Sequence, residues 1–145
     1  MTITSFAKPD AHSSTGKAKI LIAEDDPVFR HLLQFTLTRA GHQVIVAQDG
    51  EMAYRRWLDG DINVVVTDHQ MPRCTGLELI DRMEAHLNNL DEMPAVIFCT
   101  AKGLELDRQS LFSKSHVRDV IAKPFSPRQL TRRIDEVLSA ISEVM

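Results

Sequence analysis

From Lys19 onward the chain alternates between two patterns, and this alternation limits its fold more than any other feature. Short apolar runs rich in β-branched residues recur at Ile20–Ala23, Val44–Ala47, Val64–Thr67, Ala95–Thr100 and Val117–Ala122. Runs that are continuously apolar, with no polar residue at every second position, read as strands buried on both faces. Between them lie stretches with helical spacing. Val28, Leu32 and Phe35, and beside them Leu33 and Leu37, recur at threes and fours up to Gly41. Asp26-Pro27 is a start signal for that helix, a capping carboxylate followed by Pro at the first helical position. A second helix, 51–59, offers Ala53 with Trp57 and Tyr54 with Leu58. A third, 76–88, offers Leu79, Met83 and Leu87 with Ile80. A fourth, 104–113, is weakly patterned, with Leu104, Leu111 and Phe112. The fifth, 127–142, carries Leu130, Ile134, Val137, Leu138 and Ile141 behind Pro127. Strands and helices in strict alternation imply right-handed crossovers and a parallel α/β sheet with helices on both faces.

Length and charge narrow the function classes. A chain of 145 residues is one domain, large enough to bury a core without disulfides. A net charge of −3 gives no basic footprint for nucleic acid and no polybasic anchor for a membrane. The longest apolar run, Ala95 to Cys99, is far short of a membrane span. The first residues carry no secretory pattern, and Cys74 and Cys99 lack any metal-binding spacing, so two thiols in a reducing cytoplasm are expected. Residues 1–17 are polar and aperiodic and read as a flexible N-terminal tail, with the folded domain at 18–145. Gly16-Lys17 is not a phosphate-binding loop, because it lacks the earlier Gly and the following Ser or Thr and precedes a strand. The chain ends four residues after Ile141, so no output domain is expected behind it.

In parallel sheets of this kind ligands bind beyond the carboxyl ends of the strands. The first strand ends in Glu24-Asp25-Asp26, the second in Gln48-Asp49 with an Asp49-Gly50 turn, the third in Asp68, the fourth in Thr100 and the fifth in Lys123-Pro124. Singly, each has an ordinary explanation: Asp26 as a helix cap, Lys-Pro as a solvated turn, Thr as a strand former. Together they place several carboxylates, a hydroxyl and an ammonium on one rim. Crowded carboxylates repel unless a divalent cation neutralises them, and hard oxygen ligands with retained waters suit Mg²⁺. A carboxylate beside such a cation is a nucleophile for phosphorus, and Lys, hydroxyl and backbone N–H groups can share the charge of a transferring phosphoryl group.

The runs Ile20-Leu21-Ile22-Ala23-Glu24-Asp25-Asp26 and Val66-Thr67-Asp68-His69-Gln70-Met71-Pro72 with Gly76, then Thr100-Ala101 and Lys123-Pro124-Phe125, resemble the receiver domains of two-component response regulators. The resemblance covers about Lys19 to Ile141 and is to a stand-alone, chemotaxis-regulator-like receiver. It implies a flavodoxin-like, doubly wound five-stranded parallel sheet of order 2-1-3-4-5. It implies Asp68 as phosphoacceptor, with Glu24, Asp25, Asp68 and the backbone carbonyl of Gln70 holding Mg²⁺. Thr100 would reach the attached phosphoryl group, Lys123 would pair with it, and Pro124 matches the residue that follows a cis peptide bond in this family. The donor would be a sensor histidine kinase or a histidine phosphotransfer protein, with an unknown downstream protein as target or the next carrier of the phosphoryl group. Such a protein catalyses its own phosphorylation and slow dephosphorylation without being a conventional enzyme.

The departures from the family pattern are specific. His69 stands where an apolar residue is usual, and Val120 stands where an aromatic ring is usual. Ser115-His116-Val117-Arg118-Asp119 lacks the usual Gly, and Ala85 to Pro94 is a few residues longer than is usual in the family. With Val120 in place of a ring, the response to phosphorylation is expected in residues 101–116. Two rivals stand beside the receiver reading. One is a degenerate receiver that binds partners without phosphorylation. The other is a Mg²⁺-dependent phosphohydrolase similar to haloacid dehalogenases, which needs a second Asp where this chain has Gln70, a side chain that cannot transfer protons.

Overall fold

A computed structural model describes residues 17–101 and 116–144. Strands β1 (Lys19–Ala23), β2 (Gln43–Ala47), β3 (Val64–Asp68), β4 (Ala95–Ala101) and β5 (Val117–Lys123) form one sheet. All four pairings are parallel. The spatial order is β2-β1-β3-β4-β5, the expected 2-1-3-4-5. The helices are α1 (Pro27–Arg39), α2 (Gly50–Leu58), α3 (Gly76–His86) and α4 (Pro127–Val144), with a 3₁₀ turn at Leu90–Glu92. That turn accommodates part of the long stretch before β4. The helix expected at 104–113 and nearly all of the 101–116 segment lie outside the described residues, as does the expected tail apart from Lys17.

The strands were expected to be apolar on both faces, and the core shows why. Ile20 and Ile22 of β1, Val64 and Val66 of β3, and Ile97 and Cys99 of β4 pack with Leu33 and Leu37 of α1 and Leu130, Ile134 and Val137 of α4. The alternate residues Leu21, Val65, Val96, Phe98 and Val120 pack on the other face with Ala53 and Trp57 of α2 and Leu79, Ile80 and Met83 of α3. The period-2 alternation of side chains thus feeds two separate cores from one set of strands.

One sequence expectation divides. Of the two apolar stripes on α1, the sheet buries Leu33 and Leu37 and leaves Val28, Leu32 and Phe35 facing out, at 76%, 44% and 54% exposure. Adjacent stripes on one helix lie about 100° apart, so a single flat sheet covers only one of them. Leu58, expected to pack from α2, is likewise exposed. Asp49-Gly50 is more than a turn: the Asp49 side chain caps α2 by accepting from the Met52 N–H at 2.8 Å. Lys17, expected in the tail, donates to the Ala40 carbonyl at 2.6 Å.

The turn between α1 and β2 is locked to the start of β1 by His42. Its Nδ1 accepts from the Ala18 N–H at 3.0 Å. Burial lowers the pKa of His42 below its ordinary value of 6.5; Asp135 opposes the shift and Lys17 reinforces it. A group whose folded pKa is depressed contributes stability above its unfolded value, and that contribution is lost as pH falls from about 6.5 through the lower folded value. His42→Asn keeps an acceptor near the Nδ1 position and removes the titration. We expect the wild type to lose stability relative to His42→Asn when pH drops from about 7.5 to about 5.5, measured by urea midpoints. Parallel curves for the two proteins would contradict this role.

Candidate functional site

The carboxyl ends of β1, β3, β4 and β5 converge on one rim. Glu24 follows β1 directly, and Asp68 is the last residue of β3. Parallel register sets Asp68 against Cys99 and Ala101 against Lys123, so Thr100 of β4 stands at the same level. The Lys123–Pro124 peptide bond is cis. Lys123 Nζ donates to Glu24 Oε1 at 3.0 Å and to Asp68 Oδ2 at 3.1 Å. The sheet therefore joins residues separated by 99 and 55 positions through one ammonium group.

Glu24 and Asp68 are buried, whereas Asp25 is exposed. Carboxylate oxygens of Glu24, Asp25 and Asp68 lie within 4.8 Å of one another. At that separation and an effective dielectric near 20, each charged pair repels by roughly 3 kcal/mol. Burial raises the pKa of Glu24, opposed by the Asp26 backbone N–H and by Lys123, with Asp68 adding repulsion. Burial pulls Lys123 down, but its bonds and charge attraction to Glu24 and Asp68 prevail and hold it above its ordinary value. The donor set is all oxygen, partly open to solvent through Asp25, and carries more negative charge than one ammonium cancels. It fits a hard divalent cation such as Mg²⁺.

Several neighbours hold this arrangement. Asp26 caps α1 through the Val28 N–H, as expected, while its own N–H donates to Glu24 Oε2. The Gln70 N–H makes a long 3.4 Å contact with Asp68 Oδ1. Sequence reasoning missed two contributors. Arg30 Nη1 donates to the Glu24 carbonyl at 2.8 Å. The Phe29 ring lies 5.5 Å from Lys123 Nζ and packs edge-on against Phe125. Arg30 and Phe29 sit in the first turn of a helix whose start was legible, but no local pattern marks them as reaching the rim. Thr100 is buried. His69 is half-buried with its ring in a T-shaped contact with Phe98, and Val120 is fully buried in the α2–α3 core. Cys99 is buried in the opposite core, where desolvation pushes its thiol far up.

The response regulator receiver domain family matches residues 20–135. The chain belongs to this family. It is 33% identical over 122 residues to a chemotaxis protein CheY homolog of Campylobacter jejuni, covering 83% of this chain and 92% of that protein. A putative response regulator from Chloroflexus aurantiacus superposes with a TM-score of 0.75 at 27% identity, over 85% of this chain and 98% of that one. The receiver domain of a Pseudomonas aeruginosa sensor histidine kinase, solved with a magnesium ion coordinated in its active-site cleft, gives a TM-score of 0.71 at 26% identity. That match covers 83% of this chain and 96% of the other. The fold is thus the CheY-like, flavodoxin-like fold of two-component receivers. Among the described residues, no helix is long and apolar enough to cross a membrane.

Gly76, part of the receiver-like motif, has a steric reason to be glycine. A Cβ there would lie 2.5 Å from the Asp68 carbonyl and 2.7 Å from Phe98 Cε1. Because the nearest atom is backbone of the acidic strand end, relief must move the rim itself. Gly76→Ala is expected to destabilise the protein by about 1–3 kcal/mol in a denaturant titration. A cost below about 0.5 kcal/mol would mean that the 69–76 loop yields freely.

Proposed function

We propose that this chain is a phosphoacceptor switch or phosphorelay carrier whose Asp68 takes a phosphoryl group from a histidine kinase or a histidine phosphotransfer protein. The observation that carries the reading is the Lys123 ammonium bound between Glu24 and Asp68 beside the exposed Asp25. An Asp68 carboxylate oxygen attacks phosphorus, an O–P bond forms, and the P–N bond to the donor imidazole breaks, leaving that ring neutral with a proton from solvent. Glu24, Asp25 and Asp68, with the backbone carbonyl of Gln70, would hold Mg²⁺, which neutralises phosphoryl oxygens when bound. Lys123 is already directed at Asp68 and would transfer its bond to a phosphoryl oxygen. Thr100 would donate its hydroxyl to another. Both residues stabilise charge where it accumulates and need no proton transfer of their own. In this reading 18–145 is the receiver domain and the setting is cytoplasmic, in keeping with two buried free thiols.

A macromolecular donor must bring its phosphohistidine to the rim, so its docking surface must adjoin Asp68. The α1 stripe starts beside the rim: Val28 lies two residues beyond Asp26, whose N–H donates to Glu24, and Leu32 and Phe35 extend the stripe along the helix. We assign this exposed apolar stripe to the partner protein that carries the donor histidine. Small donors such as acetyl phosphate would not use it.

Acetyl phosphate with Mg²⁺ should add one phosphoryl group, seen by intact mass and mapped to Asp68, and Asp68→Asn should remain unlabelled. Equal labelling of Asp68→Asn would refute the assignment. Asp25→Asn should lose most Mg²⁺ affinity and most labelling. The pair Leu32→Ala and Phe35→Ala should slow transfer from a phosphorylated kinase by about tenfold while acetyl phosphate labelling stays at the wild-type rate. If both donors slow equally, the stripe is not a docking surface.

A further inference from the structure

The loop between β3 and α3 contains a strained turn that the receiver chemistry does not by itself explain. Arg73 has φ of 70°, the left-handed region that side chains other than glycine seldom adopt. The Cys74 N–H donates to the Pro72 carbonyl at 2.7 Å, closing a three-residue turn around Arg73. A three-residue turn with a positive φ at its centre is the rare, strained form, and strain of this kind persists only when the surroundings hold it. Here one ion pair does so. Arg73 Nη1 donates to Asp49 Oδ2 at 2.8 Å. Asp49 is buried, its carboxylate 6% exposed, although Arg73 is 67% exposed. The other Asp49 oxygen caps α2 at Met52. Gly50 allows the contact, because a Cβ on it would lie 2.3 Å from the Cys74 carbonyl.

We propose that Asp49 and Arg73 form a positioning pair that clamps the 69–76 loop to the start of α2 and so fixes the Gln70 carbonyl for the metal. This rests on the reading that Glu24, Asp25 and Asp68 take a divalent cation. The loop is tied at its base, where the Gly76 N–H donates to the His69 carbonyl at 2.9 Å. Gln70, Met71 and Pro72 span the distance from that tie to Arg73. Met71 is buried and anchors the middle. Without the guanidinium the loop loses its tie to α2 and keeps Met71 and Cys74 burial, the internal turn and the long Gln70 N–H contact to Asp68 Oδ1, so the Gln70 backbone gains freedom that cation binding must then remove. Coupling is reciprocal, so metal binding at the rim also restrains the α2 cap.

The test uses the full chain, titrated with Mg²⁺ and followed by amide resonances. Arg73→Gly deletes the guanidinium while relieving the positive-φ strain, so it remains folded if strain alone is at stake. Asp49→Asn keeps a capping oxygen and deletes the charge. Each should weaken Mg²⁺ binding by about fivefold, and the double variant should be no weaker than either single one. Arg73→Lys should recover part of the loss. The Met52 amide should shift on Mg²⁺ addition in the wild type and stay fixed in Arg73→Gly. Wild-type affinity in Arg73→Gly and Asp49→Asn would overturn the clamp. If Asp25→Asn also binds Mg²⁺ like the wild type, the metal site itself is wrong and the clamp falls with it. If Asp25→Asn loses binding and Arg73→Gly does not, the clamp alone is overturned.

Discussion

One ammonium group holds the rim together. The sheet is apolar on both faces, yet its first and third strands in chain order deliver Glu24 and Asp68 to neighbouring positions with Asp25 beside them. Three carboxylates so close repel one another, and positive charge from elsewhere in the chain relieves that repulsion. Lys123, at the far end of the last strand, supplies it. That requirement fixes the topology of the site: β3 beside β1 brings the acids together, and β4 beside β3 places β5 within reach of a lysine side chain. Removing the lysine would leave buried Glu24 and Asp68 facing each other, with the Asp26 and Gln70 N–H groups donating to them. The same excess of negative charge that Lys123 cannot cancel is what suits the rim to a divalent cation.

The two cores divide the labour around that rim. On the α1–α4 side, Leu33 and Leu37 anchor α1, so its first turn presents Arg30 to the Glu24 carbonyl and Phe29 to Lys123. On the α2–α3 side, Leu79, Ile80 and Met83 anchor α3, whose start is fixed by a capping box between Thr75 and Glu78. The loop from Asp68 to that cap is short, and Gly76 presses against the Asp68 carbonyl. Glu24 and Asp68 are thus each held by a helix start that is itself capped by a side chain. Preorganisation of this kind is what charge-stabilising sites need, because dipoles already in place require no rearrangement when charge develops.

How much of this was legible in the sequence follows from the range over which each signal acts. Strand residues such as Ile20–Ala23 and Val64–Thr67 announce themselves by unbroken apolar runs, and the rim residues follow from reading what comes next. The α1 helix was legible too, but not its buried side. Val28, Leu32 and Phe35 are as apolar as Leu33 and Leu37, and periodicity cannot say which stripe meets a sheet built from strands elsewhere in the chain. Asp49 looked like a turn residue because Asp-Gly is a common turn pair. Its partner Arg73 is 24 residues away and adopts a backbone conformation that arginine alone gives no reason to expect. Local chemistry was readable and non-local pairing was not, except where the family motif carried it.

Val120 shows how a single departure redirects the argument. It is fully buried on the α2–α3 side, in register with Phe98 of β4. Phe98 itself contacts the space that keeps residue 76 a glycine, directly under the Asp68 carbonyl. A β-branched side chain at a fully packed position is stiff at χ1 and has no extended rotamer with which to leave the core. An aromatic swing between core and surface is therefore not available at this position. Charge added at the rim meets instead the groups that surround it: the Lys123 ammonium, the Thr100 end of β4, and the 69–76 loop. Of these, Lys123 and the loop are each tied to a second element, through Glu24 to β1 and through Asp49 to α2. A perturbation at Asp68 thus meets two ties that do not involve residue 120, one to β1 and one to α2.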